Sequence, residues 1–166
     1  MSDSIQTIHG VQIKKLPVFA DERGRLTVIM RSDDAIFDRF GQIYSTTAFP
    51  GVIKAWHFHR EQSDRLCAVH GRVKLVLHDS RDAKFGFGYP GETSPTAGQI
   101  DEYILSPDDP ILVKIPAWII HGIQNIGDEQ AVVLNMPDRA YRNGDPDVVR
   151  LDFNDEIVPY RWQKKA

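Results

Sequence analysis

Short runs of β-forming residues, each closed by a turn former, recur along almost the whole chain, and no other feature limits its fold as strongly. The runs are VQIKKLPVF, RLTVIM, QIYSTTAF, GVIKAWHFH, LCAVHG, VKLVLHD, EYILS, ILVKIPAWIIHGIQNIG, QAVVLNMP and VVRLDF. Several alternate apolar with polar residues or mix β-branched with aromatic ones, as strands with one buried face do. The segments between them, among them DERG, FPG, HG, PDDP, IGDEQ and RNGDPD, carry the Gly, Pro, Asn and Asp that turns require. One short helix is expected near DDAIFDRFG, with Asp33 or Asp34 as its cap and Gly41 as its stop. Without any βαβ alternation, the pattern predicts an all-β sandwich or barrel. No repeat, low-complexity tract or linker interrupts it, and 166 residues suit one domain. The Gly- and Pro-rich stretch at 82–98 predicts a long loop, a feature that in compact domains is often functional.

Hydrophobic residues make up 42% of the chain and charged residues 26%, enough to build a core and keep it soluble. A net charge of −3 gives no basic excess for a nucleic-acid or anionic-membrane surface. No stretch approaches the roughly 20 apolar residues of a membrane span, and MSDSIQTIHGVQIKK lacks the apolar segment of a signal peptide. The lone Cys67 cannot form an internal disulfide, so a cytoplasmic protein is expected. Within the apolar run LCAV, Cys67 reads as a buried, inert thiol.

The segment GVIKAWHFHREQSDRLCAVHG places Gly51, His57, His59, Asp64 and Gly71 at fixed intervals, and PAWIIHGIQN adds Pro116, His121 and Asn125. On a strand, His57 and His59 point to one face. Asp64, past a turn, can face back toward them, and His121 can approach from a later strand. Such a cluster supports three readings. It can bind a divalent transition metal through His57, His59, Asp64 and His121. It can also transfer protons without a metal, through a neutral imidazole. Lastly, its members can be core histidines with satisfied hydrogen bonds. His9, His70 and His78 fall outside the cluster and read as surface or turn residues.

The two segments resemble the paired signatures of the cupin superfamily, with Asp64 where Glu is usual and Trp118 where glycine is usual. That resemblance implies a jelly-roll barrel, the cupin double-stranded β-helix, with N-terminal strands over 1–50, the barrel over 51–136 and a tail over 137–166. A narrower resemblance covers residues 17–162. DERGRL, FGQIYSTTAFPGVIKAWHFH, DRLCAVHGRVKLVLHDSR, SPTAGQ and IPAWIIHGIQNIGDEQA are similar to segments of the dTDP-4-dehydrorhamnose 3,5-epimerase family.

That family resemblance implies a homodimeric barrel that epimerises nucleotide-linked 4-keto-6-deoxy sugars at C3, C5 or both, with no cofactor. It places the base at His57 and the proton donor at Tyr141, for which ordinary packing is the alternative. Arg65 falls where the family has a lysine beside the ketone. Arg23 falls on an arginine that reaches toward the diphosphate, a solvated turn residue being the other reading. Lys54, His59, Gln62, His121 and Asn135 complete the implied substrate contacts. Lys54 replaces an arginine, Leu75 an aspartate and Asn135 a tyrosine of the family pattern. The C-terminal aspartate that orients the family's base has no match, and Asp64 is the candidate substitute. A ketoisomerase of deoxysugars, a metal-dependent isomerase or oxygenase, and a non-catalytic sugar-binding module are the alternatives that the sequence leaves open.

Overall fold

The computed structural model describes residues 7–163. The runs identified in the sequence become twelve strands: β1 (Gln12–Lys15), β2 (Val18–Asp21), β3 (Gly24–Thr27), β4 (Tyr44–Ala48), β5 (Ile53–His59), β6 (Asp64–His70), β7 (Val73–Asp79), β8 (Ile100–Leu105), β9 (Ile111–Ile115), β10 (Ile119–Asn125), β11 (Ala131–Asn135) and β12 (Val148–Arg150). Two five-stranded sheets form, in the orders β1-β9-β6-β11-β4 and β12-β5-β10-β7-β8, with β2 and β3 as a separate hairpin. All strand pairs are antiparallel. The barrel is therefore not confined to residues 51–136: β1 and β4 from before that range, and β12 from beyond it, are members of its sheets.

Inward side chains of both sheets form the apolar core between them. Leu66, Ala68, Val73, Leu75, Leu77, Val113, Ile115, Ile119, Ile123 and Val133 form one buried cluster there. Leu75 and Leu77 are fully buried, each contributing about 2 kcal/mol of transfer free energy. Leu75 thus packs in the core, and the aspartate of the family pattern has no counterpart at that position in this chain.

Two local expectations change. DDAIFDRFG makes only a turn, in which the Phe37 N–H donates to the Asp34 carbonyl at 2.9 Å. Ile36 is drawn into a cluster with Leu16, Cys67, Leu112 and Met136, and its carbonyl accepts from the Arg65 guanidinium at 2.8 Å. That carbonyl serves a tertiary bond in place of the next helical one, so packing overrides local propensity. His78 is also not at the surface: it is buried and meets Phe85 edge-on, with ring centroids 5.2 Å apart. His9 and His70 are exposed.

The 82–98 segment carries a short 3-10 helix, Ala83–Phe85, capped by the Asp82 carboxylate. Its SPTAGQ end is locked by Asp79, whose Oδ2 accepts from Ser94 Oγ and Thr96 Oγ1, each at 2.7 Å, while Arg81 pairs with the same carboxylate. These bonds are a buried structural knot, and none of its members lines the large cavity described below.

Gly122 shows how closely β10 approaches β5. A Cβ there would lie 2.5 Å from Ala55 Cβ and 3.0 Å from Ala55 Cα. Because the second clash is with backbone, Gly122→Ala should cost about 1–3 kcal/mol. Urea denaturation should show that loss, and an unchanged midpoint would contradict the register.

Candidate active site

Between the sheets, bordered by Leu66, Ile123 and Val133 of the apolar cluster, lies a cavity of about 590 Å³. Its wall takes Tyr44 and Thr46 from β4, Leu66 from β6, Val133 and Asn135 from β11, and His57, His121 and Arg150 from β5, β10 and β12. Gln42, Lys54, His59, Gln62 and Tyr141 also line it.

The histidines converge as their strand positions predict. His57 and His121 are direct cross-strand partners, with ring centroids 4.1 Å apart. His57 and His59, two apart on β5, have centroids separated by 5.7 Å. Between the pairs His121–His57 and Ile123–Lys54 the register shifts, so three steps on β5 match two on β10. This bulge turns Lys54 onto the cavity face beside His57, where strict alternation would point it away. The Lys54 ammonium donates to Thr46 Oγ1 at 2.9 Å.

Asp64, the first residue of β6, is buried beneath the imidazoles. Its Oδ1 accepts from the Gln62 amide at 2.7 Å. Its Oδ2 accepts no formal hydrogen bond and faces His121 Nε2 at 3.3 Å and His59 Nε2 at 3.4 Å. The same Gln62 nitrogen lies 3.2 Å from His59 Nε2. His121 Nδ1 lies 2.9 Å from the Ile119 carbonyl, which can only accept, so that nitrogen carries hydrogen. Asp147 ties the loop by accepting from the backbone N–H groups of Arg60, Glu61 and Gln62. Gln62 and Asp64 thereby hold His59 and His121 from below.

Burial, reinforced by the charge of the neighbouring His121, pushes the His57 imidazole well below its ordinary value, and Asp64 offsets only part of this. His59 is lowered as well, first by burial. Asp64 moves the other way from what burial alone would do: contact with His121 and His59 outweighs desolvation and holds it below the usual carboxylate range. At neutral pH the cavity therefore contains a neutral imidazole at His57 above an ionised carboxylate, and a neutral imidazole is the form that accepts a proton. One ligand atom from each of His57, Asp64 and His121 lies within 4.8 Å of the others. Two imidazoles and a carboxylate also suit a divalent transition metal. His59 stands outside that trio, so the four-ligand set expected from the sequence reduces to three.

Other expected residues divide. Asn135 lines the cavity, accepts the Arg65 N–H at 3.1 Å and donates to the Tyr44 hydroxyl at 2.8 Å. Tyr141 stands at the mouth, 56% exposed, its backbone N–H donating to Gln42 Oε1. Arg65 does not reach the cavity. It is fully buried, with its guanidinium donating to the carbonyls of Ile36 and Met136 and to Asp38. Alternation along β6 sends Asp64 inward and Arg65 to the opposite face. Arg23 sits in the exposed β2–β3 turn, paired with its own Asp21, and is likewise outside the cavity. Cys67 is buried, and burial pushes its thiol up to about 11, so it is inert. Several polar cavity residues are not expected from the sequence, among them Gln42, Tyr44, Thr46 and Arg150; Arg150 enters the wall only because β12 pairs with β5.

Comparison with known proteins identifies the family to which this fold belongs. A family model described as dTDP-4-dehydrorhamnose 3,5-epimerase matches residues 6–166. The spore coat polysaccharide biosynthesis protein SpsL of Bacillus subtilis is 32% identical over 155 residues, covering 93% of this chain and 96% of its own length. The probable low-salt glycan biosynthesis epimerase Agl13 of Haloferax volcanii is 35% identical over 158 residues, covering 93% and 94%. Among solved structures, a dTDP sugar isomerase from Desulfovibrio desulfuricans superposes with a TM-score of 0.82 at 29% identity, covering 93% of this chain and 92% of that one. The RmlC epimerase of Legionella pneumophila, solved with dTDP-4-keto-L-rhamnose, shares the fold with a TM-score of 0.79 at 22% identity, covering 96% of this chain and 82% of that one. The chain belongs to the dTDP-4-dehydrorhamnose 3,5-epimerase family of sugar-nucleotide epimerases.

Proposed function

We propose that this epimerase acts on a nucleotide-linked 4-keto-6-deoxy sugar, removing a proton next to the ketone with His57 and returning one from the other face with Tyr141. The observation that carries this reading is the neutral His57 imidazole in a cavity of about 590 Å³, a volume in the range of small-molecule sites. The C–H bond breaks, its proton passes to His57, and its electron pair forms an enolate whose charge rests on the ketone oxygen. Reprotonation from the Tyr141 side inverts the carbon. Lys54, His59, Gln62, His121 and Asn135, all in the wall, hold the ketone and hydroxyls. No cofactor takes part in this reading. Product analysis by proton NMR tests it: wild-type protein should invert C3, C5 or both. Tyr141→Phe should lose inversion by about 10²-fold or more while still exchanging the proton on the His57 side. Inversion at the wild-type rate in that variant would remove Tyr141 from the mechanism.

A homodimer in the cytoplasm is the expected setting. Phe19 and Leu26, cross-strand partners on the β2–β3 hairpin, are 62% and 59% exposed, an apolar pair that a second copy would cover. Among the described residues no helix is long and apolar enough to cross a membrane.

A second reading rests on the His57, Asp64 and His121 trio and on Asp64 Oδ2, which accepts no formal hydrogen bond. Those residues would hold a divalent metal, which would supply Lewis-acid chemistry. Metal analysis of purified protein separates the two: a stoichiometric metal that disappears in Asp64→Asn supports this reading, and activity undiminished by chelation with no stoichiometric metal supports the first.

A further inference from the structure

The cation expected beside the ketone is not Arg65, which faces away from the cavity. Arg23 lies outside it. The cavity wall nonetheless contains two cations, Lys54 and Arg150, whereas Asp64, the carboxylate beneath its imidazoles, is buried and turned to His59 and His121. A pocket with that balance takes a ligand bearing negative charge. Of the two, Lys54 is already held by Thr46. Arg150 has no ion-pair or hydrogen-bond partner among the described residues, whereas Arg23, Arg31, Arg139 and Arg142 each pair with a carboxylate.

Its position is fixed by backbone pairing. In the β12–β5 ladder Arg150 lies directly opposite His57, and Val148 opposite His59. The Leu151 N–H continues the ladder by donating to the Trp56 carbonyl at 3.0 Å, so the backbone at Arg150 is held on both sides. Cross-strand partners place their side chains on one face, with Cβ atoms about 5 Å apart. The Arg150 charge acts on both the His57 and His59 rings. A solvated rim arginine would show exposure, which Arg150 does, but it would have no reason to sit on the cavity face across from the base.

We propose that Arg150 is a catalytic residue of the epimerase reaction, its guanidinium stabilising the anionic oxygen that forms when His57 removes the neighbouring proton. This rests on the proton-abstraction reading above. The ketone oxygen is borne by the carbon next to the one that His57 deprotonates, so a cation across the ladder from His57 reaches it. As the C–H pair moves into the ring bond and the carbonyl pair moves onto oxygen, the fixed guanidinium meets the growing charge with no rearrangement. A planar fork of N–H donors also holds the oxygen in direction, which a lysine ammonium does less well.

Three measurements on wild type, Arg150→Met and Arg150→Lys test the assignment: deuterium exchange from D2O into a nucleotide-linked 4-keto-6-deoxy sugar, steady-state kcat and KM, and calorimetric affinity for dTDP. Arg150→Met should lower exchange and kcat by about 10²–10³-fold, with dTDP affinity within about twofold and the denaturation midpoint unchanged, as suits an exposed edge residue. Arg150→Lys should recover part of the rate. Exchange at the wild-type rate in Arg150→Met overturns the assignment. So does a loss confined to dTDP affinity and KM, which would place the guanidinium on the diphosphate. No exchange in wild type overturns the proton-abstraction reading itself, which neither of the two preceding outcomes does.

Discussion

Replacing His57 with asparagine is expected to lower proton exchange next to the ketone by about 10²–10⁴-fold, the usual contribution of a general base. The variant should remain folded, since Asn is smaller than imidazole and the cavity already surrounds the position. The effect is assigned to His57, and not to His59 or His121, because of what each ring already does. His121 commits Nδ1 to the Ile119 carbonyl and turns Nε2 to Asp64. His59 lies between Gln62 and Asp147. His57 alone of the three has no hydrogen-bond partner among the described residues, and it lies against the open cavity.

The pH dependence follows from the direction of its shift. A base works when deprotonated, and burial holds His57 deprotonated below its ordinary value near 6.5. The acid limb of kcat/KM should therefore fall below pH 6.5. Stability carries the opposite face of the same linkage. The unfolded chain binds protons at His57, His59 and His78 below about pH 6.5, whereas the folded chain resists binding them because all three are lowered. Their contribution to stability is present above that pH and is lost as pH falls through it. Urea midpoints measured across pH 5–8 should decline toward acid.

The second large effect concerns stability and spares chemistry. Arg65→Met should destabilise the fold by about 2–3 kcal/mol, the range for lost hydrogen bonds to a charged group. The fully buried guanidinium binds two carbonyls, of Ile36 and Met136, and the Asp38 carboxylate. Methionine fills the aliphatic part of that space but satisfies none of those acceptors. Asp38 keeps part of its compensation, being half exposed and also paired with Lys114 at 2.7 Å. Specific activity of the folded fraction should be close to wild type, because Arg65 lines no part of the cavity. A kcat loss of 10²-fold with an unchanged denaturation midpoint would instead return Arg65 to the site.

Arg65 also marks the limit of what the sequence reveals. Strand content, the all-β class and the convergence of His57, His59, Asp64 and His121 follow from local pattern and a two-residue period. Which face a neighbouring residue takes depends on register, and an offset of one inverts it. Asp64 and Arg65 are adjacent in sequence, yet one faces the imidazoles and the other Ile36. Lys54 reaches the cavity only through a bulge, which the family pattern implies as a contact but does not explain. Arg150 gives no local signal, because VVR reads as an ordinary strand until β12 is seen to pair with β5. The turn at DDAIFDRFG carries good helix signals, which a tertiary bond from Arg65 overrides.

Removal of a carbon-bound proton next to a ketone is the step on which the roles of His57, Tyr141 and Arg150 all depend. Incubating the protein with dTDP-4-keto-6-deoxyglucose in D2O, and following the sugar protons by NMR, measures that step. Loss of the C3 or C5 proton signal with wild-type protein, and its retention with His57→Asn, is the predicted result. Product formation with no deuterium at either carbon, or exchange at the wild-type rate in His57→Asn, would contradict it.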